Sequence, residues 1–493
     1  MKKQNSTTLR KRIGRLLLLG LIVSGCGIAP AHAQKDAART IEILAVNDMH
    51  AAIDNFPRFG FMVDSLRAIY PDLLLISGGD NQTGNPVNDQ YPEKGLPMIE
   101  LMNAMKFDLS AIGNHEFDSK PEGLANNLKK AGFEFICANI KTKDAGKYPI
   151  KPYKSFKMAN GLNITFVSLL DLNDGGIPDS HPDNVKEFTF NDPYKTAGEY
   201  LFLKDKSDVL VFLNHMGFEN DVKLTGQLPA GKVDLIIGGH SHTKVDKEQI
   251  HNGILITQAE RKLKYATLIK LTVQPNGKIE KSMQLLTVGN KGKERADIRE
   301  MVNKYNDAPS LKEKIATATD DFKSYEEVGF LMIDALRAST GTDIALINPG
   351  GVRIDHLAKG AVTVMDVYSM DPFGNEIVVF KLSGREIKAL LTQAYKFDEY
   401  LPIYPSGMRS LYLLDENNEV KDIILFTEKG MPLDMSKKYS VSMNGYMASV
   451  YKYEHEDPGT GLFRVAADSM IEYLKELQTI PSYRFEKRVE LIR

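Results

Sequence analysis

The chain has 493 residues, with 62 Lys and Arg against 64 Asp and Glu, a formal net charge of −2 and 43% hydrophobic residues. That length exceeds one ordinary core and predicts two domains after removal of a leader. The balanced charge supplies no global basic field, which excludes a polymeric nucleic acid as the natural partner while leaving room for a small anion held at a local positive site.

Residues 1–33 read as a secretory leader. Lys2, Lys3, Arg10, Lys11, Arg12 and Arg15 precede an apolar run at 16–23 that is too short to span a bilayer. Two exits compete. Val23-Ser24-Gly25-Cys26 has the form of a bacterial lipobox, which would lipidate Cys26 and attach the chain to a membrane; Ala31-His32-Ala33 has the form of an ordinary signal-peptidase site before Gln34. The cysteine sits directly at the end of the apolar run and is the favoured exit. Either one places the mature protein outside the cytoplasm, in the periplasm or on the outer membrane of a bacterium. With only Cys26 and Cys137 present, no internal disulfide is expected, and Cys137 reads as a buried strand thiol.

From 41 onward short apolar runs alternate with helical patterns. Strands are expected at 41–46, 72–77, 107–112, 133–138, 163–169, 208–213 and 233–238, with amphipathic helices at 58–69, 96–105 and 121–131. This alternation predicts an α/β fold whose sheets are covered by helices. Strands continue at 253–257 and 265–273. Residues 290–321, rich in Lys, Glu, Asp and Ala, read as one helix joining two domains. Beyond it come a helix at 328–339, a strand at 343–347, a tight turn Asn348-Pro349-Gly350-Gly351-Val352-Arg353, strands at 376–381, 411–414 and 439–443, and a helix at 384–395.

The polar residues at the strand ends carry the functional signal. Asp48 and His50 follow the first strand, Asp80 the second, Asn114 and His115 the third, and Asn214-His215 and Gly239-His240-Ser241-His242 two later ones. A lone His or Asp after a strand is ordinary turn chemistry. Five of the ten histidines at such ends in one region are not, and together they predict a metal site. Oxygen and imidazole donors without thiolate suit Zn, Mn or Fe. The donors are too many for one tetrahedral ion and about right for two sharing a carboxylate; such a pair, roughly 3.5 to 4 Å apart, clamps a phosphate and generates hydroxide at neutral pH. Asp118, three residues after His115, could hold that imidazole in one tautomer.

Taken together, Asp-x-His, Gly-Asp, Gly113-Asn114-His115-Glu116-Phe117-Asp118, Asn-His and Gly-His-Ser-His in this order resemble the calcineurin-like metallophosphoesterases, and more narrowly the 5'-nucleotidase and UDP-sugar hydrolase family. The resemblance implies a four-layer α/β/β/α sandwich over 38–290, a linker helix at 291–321 and a smaller α+β substrate-recognition domain over 322–493. It implies two divalent ions, one held by Asp48, His50, Asp80 and His242 and the other by Asp80, Asn114, His215 and His240, with His115 and Asp118 as the catalytic dyad. It further implies a phosphate-binding Arg353 and a nucleobase stacked between aromatic residues, matched here to Tyr404 and Tyr446.

Two departures stand out. Val450-Tyr451-Lys452-Tyr453 replaces the family's Gly-Gly-Asp-Gly, and a further phosphate-binding Arg is not evident, with Arg409 and Lys396 as substitutes. The expected activity is release of phosphate from nucleoside 5'-monophosphates, with UDP-sugars or 2',3'-cyclic nucleotides as alternatives, and with a non-catalytic surface ligand-binding protein as the reading of another class. Oligomeric state is left open.

Overall fold

The computed structural model describes residues 37–289, 291–398 and 400–493. The leader, Cys26 and the Ala31-His32-Ala33 exit lie outside the described residues.

Two six-stranded sheets pack face to face in the N-terminal half. The first runs in the order Ile279–Thr287, Tyr265–Val273, Arg39–Val46, Leu74–Ser77, Leu109–Ala111, Glu134–Ile136. The second runs Gln249–His251, Ile254–Thr257, Leu235–Ile237, Val209–Leu213, Asn163–Val167, Tyr153–Lys157. Four consecutive strands in each sheet are parallel; the first sheet adds the antiparallel strands Tyr265–Val273 and Ile279–Thr287 on one side, and the second adds one antiparallel strand at each edge. Ile41, Ile43, Leu74 and Ile76 of one sheet meet Phe166, Val209, Val211 and Leu235 of the other in one buried cluster.

The alternate side chains are buried too. Leu44, Val46 and Leu75 pack under the helices carrying Phe56, Val63 and Leu101, and Leu210, Phe212 and Ile236 pack under segments carrying Ala197, Leu203 and Leu224. Burial on both faces is why the parallel strands read as unbroken apolar runs. The result is the four-layer α/β/β/α order expected.

The C-terminal half is built on a five-stranded sheet, Tyr404–Ser406, Ile344–Ile347, Lys438–Asn444, Glu376–Ser383, Thr460–Val465. Ala345 and Ile347 cluster with the helix Tyr325–Thr340, and Ile344 and Leu346 with the helix Gly384–Phe397. That second helix starts at a capping box, Ser383 with Glu386, which satisfies two orphan amides reciprocally.

The single helix expected over 290–321 is corrected. A helix spans only Ala296–Asn306, followed by a short turn and the strand Lys314–Ala318, which pairs with Gly360–Thr363 in the C-terminal half. Composition alone favours helix throughout. Pro309 disfavours helical angles at the residue before it, and the apolar Ile315 and Ala316 then enter a sheet. The helix itself is docked, not free: Ile298, Val302 and Tyr305 are buried in a cluster that reaches from Phe56 in the first half to Phe330 and Met370 in the second.

Candidate metal centre

All the parallel strands that deliver polar residues end at the same edge. Val46 pairs with Ser77, Ser77 with Ser110, and Leu213 with Ile237, so the segments just beyond converge. The backbone there is strained. Asp48, His50, Asp80, His240 and His242 all have positive φ, 47°, 44°, 51°, 78° and 54°, a conformation that side-chain-bearing residues hold only where their surroundings enforce it. Amide bonds provide the enforcement: Asp48 N donates to Gly79 O at 2.9 Å and His50 N to Asp80 O at 3.0 Å. Gly79, at φ 90°, and Gly113 let the loops close this tightly, because a Cβ at Gly113 would overlap Asp80 Oδ1.

Glu116 is the hub that the sequence did not disclose. Its buried carboxylate accepts from the amides of Asp80 (3.1 Å), Asn81 (2.8 Å) and Gly113 (2.7 Å), tying the second strand end to the third. Asn47 does the same for the first, its amide donating to Asp48 Oδ2 at 2.6 Å and to Glu260 O at 2.7 Å. Glu116 lies inside a motif already singled out and Asn47 directly before another; only the tertiary contacts separate them from the donors beside them.

The imidazoles are fixed in orientation. His215 Nδ1 lies 2.8 Å from Gly78 O and His50 Nδ1 2.9 Å from Thr83 O; a carbonyl can only accept, so both Nδ1 atoms carry a proton and Nε2 is the atom each ring turns toward a cation, whether proton or metal. His215 Nε2 is buried without a hydrogen-bond partner, 3.1 Å from Asp80 Oδ2, and His50 Nε2 faces His242 Nε2 at 2.9 Å. Lone pairs pointed at one another in a buried site are satisfied by a cation. Asn114 is aimed likewise: its Nδ2 donates to Asp179 O at 3.0 Å, leaving Oδ1 3.1 Å from His240 Nδ1.

Asp48, His50 and His242 form one group of close donor atoms and Asp80, His215 and His240 an adjacent one. These two clusters fit a dinuclear divalent-metal site.

The electrostatics ask for the same charge. Burial raises Asp48 to about 7 despite His215, while Asp80 stays well below the usual carboxylate range because His215 and His115 outweigh its desolvation. His215, although desolvated, is lifted to about 10 by Asp80 and Asp48. Burial depresses His240 to about 4 and His242 to about 3, keeping both neutral as ligands require. His115 is separate. Its Nδ1 lies 2.7 Å from Asp118 Oδ2 and its Nε2 4.0 Å from Asp80 Oδ2, and these two carboxylates overcome burial to raise its pKa.

A cavity of about 650 Å³ opens beside these groups and is lined from both halves of the chain: Asp80, Asn114, His115 and Asp118 from the first, and Arg353, Phe373, Asn375, Phe397 and Tyr446 from the second. Phe373 stacks on His115, centroids 5.9 Å apart and planes at 22°, and Arg353 lies over the same Phe373 ring at 5.5 Å.

Three residues expected at the site are placed elsewhere. Tyr404 packs against Phe330 and Gly329 in the core; Arg409 is exposed on the strand Met408–Leu414, and Lys396 is exposed on its helix. None of the three lines the cavity. Tyr446 shares the lining with Phe218, Phe373 and Phe397; the last stands at the end of the helix Gly384–Phe397, where an apolar residue after an amphipathic stripe carries no signal of its own.

The chain matches a model of calcineurin-like phosphoesterases over residues 41–244 and one of 5'-nucleotidase C-terminal domains over 311–451. It is 27% identical to the protein UshA of Salmonella pullorum, covering 94% of this chain and 96% of that one, and 26% identical to the 5'-nucleotidase of Vibrio cholerae, covering 95% and 96%. The crystal structure of a 5'-nucleotidase precursor from Thermus thermophilus superposes with a TM-score of 0.80 at 26% identity, over 92% of this chain and all of that one.

Proposed function

We propose that this chain, a calcineurin-like metallophosphoesterase with a C-terminal domain and a relative of the bacterial 5'-nucleotidase and UshA proteins, hydrolyses nucleoside 5'-monophosphates to nucleoside and phosphate outside the cytoplasm. One observation carries the reading. A single cavity of nucleotide size joins the Asp/His clusters, an arginine and the aromatic side chains of Phe397 and Tyr446.

Asp48, His50, Asp80 and His242 would hold one ion and Asp80, Asn114, His215 and His240 the other, Asp80 serving both. Bound there, divalent ions supply Lewis acidity toward phosphoryl oxygens and a hydroxide from water at neutral pH. The protein's own groups do the rest. His115, protonated and held through Nδ1 by Asp118, presents an N–H to the charge that develops on the phosphoryl group. Arg353 grips the phosphate oxygens with its planar fork. Phe373 covers one face of the imidazole and shields it from water. Tyr446 and Phe397 would hold the base by stacking.

Phosphate release from AMP, UDP-glucose and 2',3'-cyclic AMP tests the substrate class, and a rate on AMP no higher than on the other two would refute it. Lipidation of Cys26 belongs to the same proposal: Cys26→Ser should move the protein from the membrane fraction to the soluble one. No helix among the described residues is long and apolar enough to cross a membrane.

A further inference from the structure

Val450-Tyr451-Lys452-Tyr453, the segment that departs from the family's Gly-Gly-Asp-Gly, has a definite task in the structure. Tyr451 is 4% exposed; its ring meets Phe397 edge to face, centroids 5.4 Å apart and planes at 80°, and its hydroxyl donates to Asp398 Oδ2 at 2.5 Å. A glycine at this place could make neither contact. Both residues so held, Phe397 and Asp398, line the cavity, and so does Tyr446, on the helix Gly445–Val450 that Tyr451 ends.

Asp398 ends a helix of its own. It follows Phe397 at the last turn of Gly384–Phe397, with its amide donating to Ala394 O at 2.8 Å. A carboxylate there meets the negative pole of the helix dipole, so helix stability does not explain it. Tyr451 supplies one hydrogen bond and fixes the group, while a carboxylate has about four acceptor sites. Phe397 and Leu401, which line the cavity from the same stretch, are apolar. Among the described residues of that stretch, polar recognition of a ligand falls to Asp398.

A base stacked on Tyr446 and Phe397 turns its edge toward such a group. Carboxylate oxygens only accept, so they favour an edge with two neighbouring donors. Guanine has one, N1–H beside the N2 amine. Hypoxanthine keeps N1–H alone. Adenine sets a bare N1 beside its N6 amine, and that lone pair would face a carboxylate oxygen.

Resting on the function proposed above, we infer that Asp398 makes the site selective for guanine nucleotides, accepting from N1–H and the N2 amine of a base stacked on Tyr446 and Phe397. Tyr451 is the positioning residue that holds the carboxylate and the Phe397 ring together.

Calorimetry on the full-length, manganese-loaded protein with guanosine, inosine and adenosine tests this without turnover. Wild type should bind guanosine about 5- to 100-fold tighter than adenosine, the worth of one two-bond base contact, with inosine between them. Asp398→Asn exchanges an acceptor for an amide that can pair with adenine N1 and N6, so adenosine should then bind more tightly than guanosine. Such an inversion is a gain that misfolding cannot produce. Tyr451→Phe keeps the ring against Phe397 and removes the hydroxyl; it should shrink the guanosine preference severalfold and preserve the order. Absent or equal binding of guanosine and adenosine in wild type would overturn the inference. So would equal losses for all three nucleosides in Asp398→Asn, which would assign the carboxylate to the sugar hydroxyls they share. A wild type that selects guanosine yet releases no phosphate from any nucleotide would defeat the proposed function and leave this inference standing.

Discussion

His115 Nδ1 and Asp118 Oδ2 lie 2.7 Å apart, three residues along one short turn, while the opposite edge of the ring faces Asp80 Oδ2 at 4.0 Å. The imidazole is thus a proton carrier oriented by one carboxylate and pointed toward the cluster that another serves. His115→Ala should lower kcat by two to four orders of magnitude, the usual worth of a positioned proton donor, roughly 10²- to 10⁴-fold. Metal content measured by emission spectroscopy should stay the same.

The pH profile follows from the same pair. In metal-free protein His115 titrates above its ordinary 6.5, so its ring-proton titration followed by NMR should have its midpoint above that value. Asp118 is one of the two charges that raise it, and Asp118→Asn should move the midpoint to lower pH. An unmoved midpoint would show that Asp118 does not act on the ring.

Metal removal should reverse the role of His215. Its folded pKa of about 10 exceeds the ordinary 6.5, so in metal-free protein its stabilising contribution is complete below 6.5 and is lost as pH rises through about 10. Asp48, raised from 3.8 to about 7, acts in the same sense over its own window. Chelated protein should therefore show a melting temperature that falls from pH 6.5 to 10. With ions loaded, Nε2 is no longer open to a proton, and the curve over that range should flatten. A flat curve for chelated protein would contradict the arrangement.

Gly113→Ala tests how tightly the loops are drawn. The added Cβ would overlap Asp80 Oδ1, the carboxylate proposed above to serve both ions. Metal affinity should drop by about 10- to 100-fold, the scale seen when groups that orient ligands are disturbed. Titration with a chelating dye reads it directly.

Tyr446→Ala and Tyr404→Ala should part company. Tyr446 lines the cavity, so its loss should raise KM for AMP by about 5- to 100-fold, the value of one stacked base, and leave KM for p-nitrophenyl phosphate alone. Tyr404 packs on Phe330 in the core, so its loss should cost about 2 kcal/mol of stability with KM unchanged. Phe397→Ala should resemble Tyr446→Ala.

Much of this molecule was readable before folding was considered. The alternation of apolar runs with amphipathic helices predicts the layered sandwich, because buried parallel strands must be apolar and the helices covering them must be two-faced. Asp48, His50, Asp80, Asn114, His215, His240 and His242 were recognisable because each follows a strand, and strand ends of one polarity share an edge. The helix expected over 290–321 failed for a local reason: composition sets helical tendency, but Pro309 and the partner strand Gly360–Thr363 decide where it stops.

Sequence by itself determined which side chains could carry the chemistry and that they would meet at one edge, since backbone periodicity and strand direction are encoded locally. Tertiary structure alone decided which neighbours of those side chains matter. Glu116 is set apart from Asp118 by the three amides that point at it, and Phe397 from Tyr404 by which of them faces the cavity. Those distinctions rest on contacts between residues far apart in the chain, and no periodicity or spacing records them.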